Sequence, residues 1–276
     1  MRMRINKKAL FIAVMSVTLA AAAFIIFLNS IYRLPILMYH SIDYTQDKKN
    51  KMVVSPEVFE AQMKFLRDRH YNVIPLEKAV GYISQKKRPP AKTLAITIDD
   101  GYEDNFKYAY PIFKKYNIPA TIFVITGLVG KEGFMDWGQI KELDGSGLVD
   151  IESHTKSHKM LTYLDDAAVE EELFDAKRTL EKILGKEVRF LCYPMGRYDE
   201  RVKAAAKRLG YKAAFATKAT RLRPNYDVFE IKRVRISPTA GSLFVFWIKT
   251  SGYHTFFRTL PGKHEDLTRV IWKKKS

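Results

Sequence analysis

Cysteine is almost missing from this chain: Cys192 is the only one among 276 residues. An intramolecular disulfide is therefore excluded, and the protein must be stable without one. Repeats and low-complexity stretches are missing too, which excludes a solenoid or a filamentous protein. Acids are scarce relative to bases, with 30 Asp and Glu against 47 Lys and Arg and a net charge of +17. Such a surface attracts polyanions over long range. Charge of either sign disappears from Ala9 to Leu28. About 20 apolar residues suffice to cross a bilayer as a helix. Arg2, Arg4, Lys7 and Lys8 precede the stretch, and the positive-inside rule keeps such cations in the cytoplasm.

The expected layout is a cytoplasmic basic segment at 1–8, a transmembrane signal-anchor at 9–28, and an extracellular remainder beyond Asn29. The protein would then be a single-pass protein of the cell membrane. Ala20–Ala23 offers an alternative, a cleavage site that would release a secreted form. Export argues against nucleic acid as the partner of the basic surface and favours anionic wall polymers or lipid headgroups.

The exported part is rich enough in apolar residues for one large core, with 47% of the chain hydrophobic. Apolar runs such as "LPILMY", "TLAITI", "ATIFVIT", "LVDIES", "VRFLCY" and "KAAFAT" alternate with helical patterns of ~10–20 residues. Ser55 caps one helix, in which Phe59, Met63 and Leu66 share a face, and Asp165–Leu184 forms another. Alternating strands and helices predict parallel pairing in an α/β barrel or open sheet, over 29–240. The last segment, 241–276, is basic and aromatic, with Phe244, Phe246, Trp247, Phe256, Phe257 and Trp272. It is expected to pack on the barrel, the other reading being a headgroup contact.

Both architectures place ligands at the C-terminal ends of the strands. Three motifs fall there. "TLAITI" ends in Asp99, Asp100 and Gly101. "LVDIE" runs into "SHTKSH", where His154 and His158 stand four apart. "VRFLCY" leads to a turn containing Pro194, Met195 and Gly196. Adjacent carboxylates repel, and a cation would outweigh that repulsion: one Asp ligates while its neighbour stays ionised as a base. Two imidazoles with one carboxylate form a common divalent site, accepting zinc most readily, with cobalt, nickel or manganese as alternatives.

Together "TIDDG", "SHTKSH" and "YPMG" resemble the motifs of the polysaccharide deacetylases of carbohydrate esterase family 4, and the resemblance runs from Leu34 to about Ile236. It implies a distorted (β/α)7 barrel and metal-dependent removal of N-acetyl groups from an N-acetylglucosamine polymer, either an exopolysaccharide or peptidoglycan. By resemblance Asp99 is the general base, and Asp100, His154 and His158 hold the metal. Pro194 and Met195 form the substrate-contacting turn, with the Met195 N–H at the oxyanion. "ILMYH" and "MDWGQIKEL" resemble the subgroup acting on poly-β-1,6-N-acetylglucosamine, in which Trp137 would stack on a sugar. An O-acetyl xylan esterase and a non-catalytic wall-glycan binder are the alternative readings.

Two departures stand out. Family members often carry an Arg two residues before the turn proline, where this chain has Cys192; Arg233 or Arg235 in "IKRVRI" could supply that cation. The Leu-x-His acid motif is missing as well. His40, directly after "LPILMY", is expected to replace it as the acid that protonates the leaving amine. Its unperturbed pKa near 6.5 and nearby carboxylates suggest a proton at working pH. His254 is the next candidate.

Overall fold

The computed structural model describes residues 7–44, 50–217 and 227–255. Helix α1, Lys7–Ile31, carries the apolar stretch. It is three residues longer at its C-terminal end than the charge-free window. None of the residues in the apolar window of its span Leu10–Ile31 is buried in the protein, so α1 is not a core helix. Arg2 and Arg4 lie outside the described residues.

The main body begins with strand β1, Ile36–Tyr39, and a small parallel pair of β2, Ser41–Ile42, and β3, Val53–Val54. Helix α2, Pro56–Asp68, starts where the Ser55 hydroxyl accepts the Val58 N–H. It buries Phe59, Met63 and Leu66, one side of its 3.6-residue repeat. Next come β4, Asn72–Val73, helix α3, Leu76–Ser84, and β5, Thr93–Ile98. All six residues of β5 are buried, as expected of a parallel strand covered on both faces. Asn105–Ala109 then makes a π-turn leading into α4, Tyr110–Tyr116.

The remaining units are β6, Ala120–Val124; α5, Trp137–Gly145; β7, Val149–Ser153; α6, Asp166–Leu184; β8, Phe190–Cys192; α7, Glu200–Arg208; and β9, Ala213–Ala216. Two short strands, β10, Ile231–Lys232, and β11, Val234–Arg235, are followed by helix α8, Leu243–Thr250.

Every strand pair in the main sheet is parallel, in the order β10-β9-β8-β7-β6-β5-β1-β11. The two ends of that order are neighbours in sequence. One stretch, 231–235, pairs with β9 through its first half and with β1 through its second, with Arg233 at the break. The result is a nearly closed parallel barrel wrapped by helices, the (β/α) architecture that the alternation and the family resemblance imply.

The sequence boundary at 240 cuts through a continuous core. Ala240 and Phe246 both belong to the main apolar cluster, and the Phe246 ring meets Phe65 edge-on at 5.9 Å. Phe244 and Trp247 of the same helix remain about half exposed. Phe256, Phe257, His264 and Trp272 lie outside the described residues.

Candidate active site

A cavity of about 430 Å³ opens at the C-terminal rim of the barrel. His40 after β1, Asp99 and Asp100 after β5, His154 and His158 after β7, and Met195 after β8 all line it. The side chains thus converge from four strand ends although up to 155 positions of chain separate them.

Asp100 Oδ1 lies 3.3 Å from His154 Nε2 and 3.7 Å from His158 Nε2. His154 Nδ1 is 2.8 Å from the Cys192 carbonyl. A carbonyl only accepts, so Nδ1 carries a hydrogen and Nε2 is turned toward Asp100. Burial would lower the His154 pKa, but Cys192 and the Asp100 hydrogen bond outweigh it and raise it, so Nε2 becomes a ligand only when a cation displaces its proton. Burial, then the neighbouring His154, lowers the pKa of His158, which favours the neutral form that a ligand needs. These three groups offer donor atoms within 4.8 Å of one another, a donor set suited to a divalent ion. A second cluster, Asp99, His154 and Cys192, meets the same spacing. It fits a metal worse: both Asp99 oxygens are taken by a guanidinium, and burial pushes the Cys192 thiol up.

That guanidinium belongs to Arg233. Its Nη1 donates to Asp99 Oδ1 at 2.6 Å and its Nη2 to Oδ2 at 2.7 Å. Further bonds reach Thr97 Oγ1 at 3.0 Å and Cys192 Sγ at 3.0 Å. Burial alone would raise the Asp99 carboxyl, but the Arg233 charge and its hydrogen bonds outweigh it and hold the group well below the usual carboxylate range. Arg233 is buried, whereas Arg235 is exposed at the rim. Cys192 Sγ sits 3.5 Å from Asp99 Oδ2. The small residue therefore leaves room beside the acid for an arginine arriving from the barrel-closing stretch.

His40 is buried, with Nε2 3.9 Å from Asp99 Oδ2. Burial lowers its pKa more than Asp99 and Asp100 raise it. The expectation of a resting proton on His40 is thereby corrected: desolvation outweighs the carboxylates, and the imidazole rests neutral near pH 7. His254 belongs to the opposite end of the barrel. It follows Gly252, whose carbonyl accepts the Arg33 N–H just ahead of β1.

Met195 has a left-handed backbone, φ 55°, within the turn Pro194–Gly196. Gly196 also has positive φ, and a Cβ there would come within 2.6 Å of the Thr217 amide nitrogen. Pro194 is buried and shapes this turn without lining the cavity. Trp137 does not line the cavity either. It is the first residue of α5, whose start is fixed by a capping box between Asp136 and Gln139, and its ring packs partly on the core.

Several supporting groups carried no legible motif. Eight non-glycine residues among those described have left-handed backbone, and Asp100, Thr155, His158 and Met195 are four of them. Strain of this kind gathers at functional sites. The His154–His158 loop is tied to α6 by Glu172, which accepts the Ser157 N–H at 2.8 Å. Asp104 accepts the Ile42 N–H at 3.0 Å, and Asn105 Nδ2 donates to the His40 carbonyl at 2.9 Å. The stretch just after the paired acids therefore anchors the loop carrying His40.

A parallel barrel with carboxylates and imidazoles gathered at its C-terminal rim is an arrangement suited to acid–base and metal-assisted catalysis. The sequence profile of the polysaccharide deacetylase family matches residues 86–214. A Bacillus subtilis protein named as a polysaccharide deacetylase, YxkH, is 36% identical over 219 residues, covering 79% of this chain and 77% of that protein. The poly-β-1,6-N-acetyl-D-glucosamine N-deacetylase of Staphylococcus aureus is 32% identical over 200 residues, covering 68% and 69%. The solved Streptococcus pyogenes deacetylase PplD, in complex with acetate, superposes with a TM-score of 0.69 at 31% identity, covering 74% of this chain and 92% of that one. The chain belongs to the polysaccharide deacetylase family.

Proposed function

We propose that this protein is a membrane-anchored, metal-dependent N-deacetylase acting outside the cell on an N-acetylglucosamine polymer. The supporting observation is the convergence of Asp99, Asp100, His154, His158, His40 and Met195 on one cavity. One of the relatives above is named as an N-deacetylase of poly-β-1,6-N-acetyl-D-glucosamine.

Asp100, His154 and His158 would hold a divalent ion, zinc being the best match to the donor set, and its chemistry there is Lewis-acid polarisation of the acetyl carbonyl and acidification of water. Asp99, kept ionised and oriented by Arg233, takes a proton from the attacking water. The Met195 N–H faces the carbonyl oxygen as it gains negative charge. His40 rests neutral, so the proton it delivers must be acquired during turnover. Its Nε2, 3.9 Å from Asp99 Oδ2, accepts that proton and hands it to the departing amine. Asp99 is thereby returned to its ionised state.

Acetate release decides the reading. Partially acetylated β-1,6-N-acetylglucosamine, peptidoglycan, chitooligosaccharide and acetylxylan are compared with added Zn²⁺ or Co²⁺. Release from an N-acetylated polymer is expected; release from acetylxylan alone would make the protein an O-acetyl esterase, and no release at all a glycan binder. In the same assay His40→Ala should retain metal and lower turnover roughly 10²–10⁴-fold. Near-normal turnover would remove His40 from the mechanism.

The location has its own test. The native protein should sediment with membranes at full length, with the barrel open to protease from outside. A soluble product starting near Phe24 would mean that α1 is cleaved as a signal peptide.

A further inference from the structure

A second cavity, of about 280 Å³, lies at the end of the barrel opposite the active site. Its walls come from Leu34 ahead of β1, Pro89 in the turn before β5, and Ile231 at the start of β10. Asn29 and Tyr32, at the end of α1, complete it. Five of its lining residues are cationic, Arg33, Lys86, Lys87, Arg88 and Lys232, and none is acidic. Lys232 turns its ammonium to the Tyr198 hydroxyl, which leaves Arg33, Lys86, Lys87 and Arg88 around one small cavity with no carboxylate among the described lining residues, a setting complementary to a multiply oxygenated anion.

The position along α1 selects the kind of anion. Leu10–Ile31 comprises 22 residues. At 1.5 Å per residue that is ~33 Å of helix, close to the ~30 Å hydrocarbon thickness of a bilayer. Tyr32 and Arg33 therefore stand at headgroup depth. The junction is packed rather than a free linker. The Arg33 N–H donates to the Gly252 carbonyl at 2.9 Å. The Tyr32 and Tyr253 rings meet edge-on at 5.6 Å. Arg88 lies 4.4 Å above the Tyr32 ring, and its Nη2 donates to the Tyr253 hydroxyl at 3.2 Å. Tyr82 also lines the cavity, and tyrosines gathered at one end of an apolar span are the usual composition of a membrane interface.

We infer that this basic cavity binds the phosphate headgroup of an anionic phospholipid in the leaflet where α1 ends, fixing the barrel at the membrane with its active-site mouth pointing away. The headgroup phosphate meets Arg33, Lys87 and Arg88, while the acyl chains run along α1. This inference shares the membrane placement of α1 with the proposed function but none of its chemistry.

Native mass spectrometry of the full-length chain in a neutral detergent tests it, with phosphatidylglycerol, phosphatidylcholine or inorganic phosphate added in parallel. One phosphatidylglycerol should be retained at roughly tenfold lower concentration than phosphatidylcholine. K87Q/R88Q should lose that preference, and K87E alone should weaken it, while both keep wild-type acetate release as a check that they fold. Equal retention of the two lipids would overturn the inference, as would an unchanged preference in K87Q/R88Q. Displacement of phosphatidylglycerol by millimolar inorganic phosphate would mean a free-phosphate site instead. The measured chain mass reports separately whether α1 is present; a native protein lacking it would overturn the lipid assignment and leave the deacetylase reading standing.

Discussion

Arg233→Met should destabilise the protein by about 3–5 kcal/mol, the usual cost of leaving one partner of a buried ion pair alone. Both partners are nearly inaccessible, with side-chain exposures of 0% for Arg233 and 3% for Asp99. In the wild type the Asp99 carboxyl is held below the usual range. Its contribution to stability is therefore complete above the ordinary carboxylate pKa and is lost only as pH falls through the lower, folded value. Without the guanidinium, desolvation acts unopposed and moves Asp99 above its unfolded value. The variant's deficit then grows as pH rises, because the folded state holds a proton that the unfolded state releases. Denaturant midpoints of metal-free protein at pH 5 and pH 8 check this. A larger deficit is expected at pH 8, and a pH-independent deficit below 1 kcal/mol would mean that the pair contributes little. Arg233→Lys should fall between, since an ammonium restores the charge without the two-pronged geometry.

The pairing also marks how far the sequence could be read. Strands were legible because a parallel strand covered on both faces is a continuous apolar run, as "TLAITI" is. The cluster at the cavity was legible because Asp99, Asp100, His154 and His158 sit in compact local motifs at strand ends. Arg233 could be named only as one of two candidates. Its partner is 134 positions away, and the contact exists because one short stretch closes the barrel and turns that side chain inward. Trp137 was read from a local resemblance as a sugar platform; the structure sets it at the start of α5, partly packed on the core and outside the lining of the cavity. The protonation of His40 depends on burial, which no local pattern reports. The roles of Asp104, Asn105 and Glu172 as loop anchors were hidden likewise, since each acts on residues brought near only by folding.

The paired acids should separate cleanly by substitution. Asp100 faces both imidazoles, at 3.3 and 3.7 Å, while Asp99 gives both oxygens to Arg233. Asp100→Ala removes one of three donors and should lose metal and activity together. Asp99→Asn keeps those donors and nearly the same shape, so metal content should stay close to stoichiometric. Turnover should nonetheless fall roughly 10²–10⁴-fold, the range typical of losing a general base. An amide also leaves the Arg233 charge buried without its counter-charge, so some loss of stability should accompany the change. Metal analysis of the two purified variants, beside kcat for acetate release, separates the roles. Metal loss in Asp99→Asn with retention in Asp100→Ala would invert the assignment. Metal retained and turnover near normal in Asp99→Asn would shift the base to His40, whose neutral Nε2 opens on the same cavity.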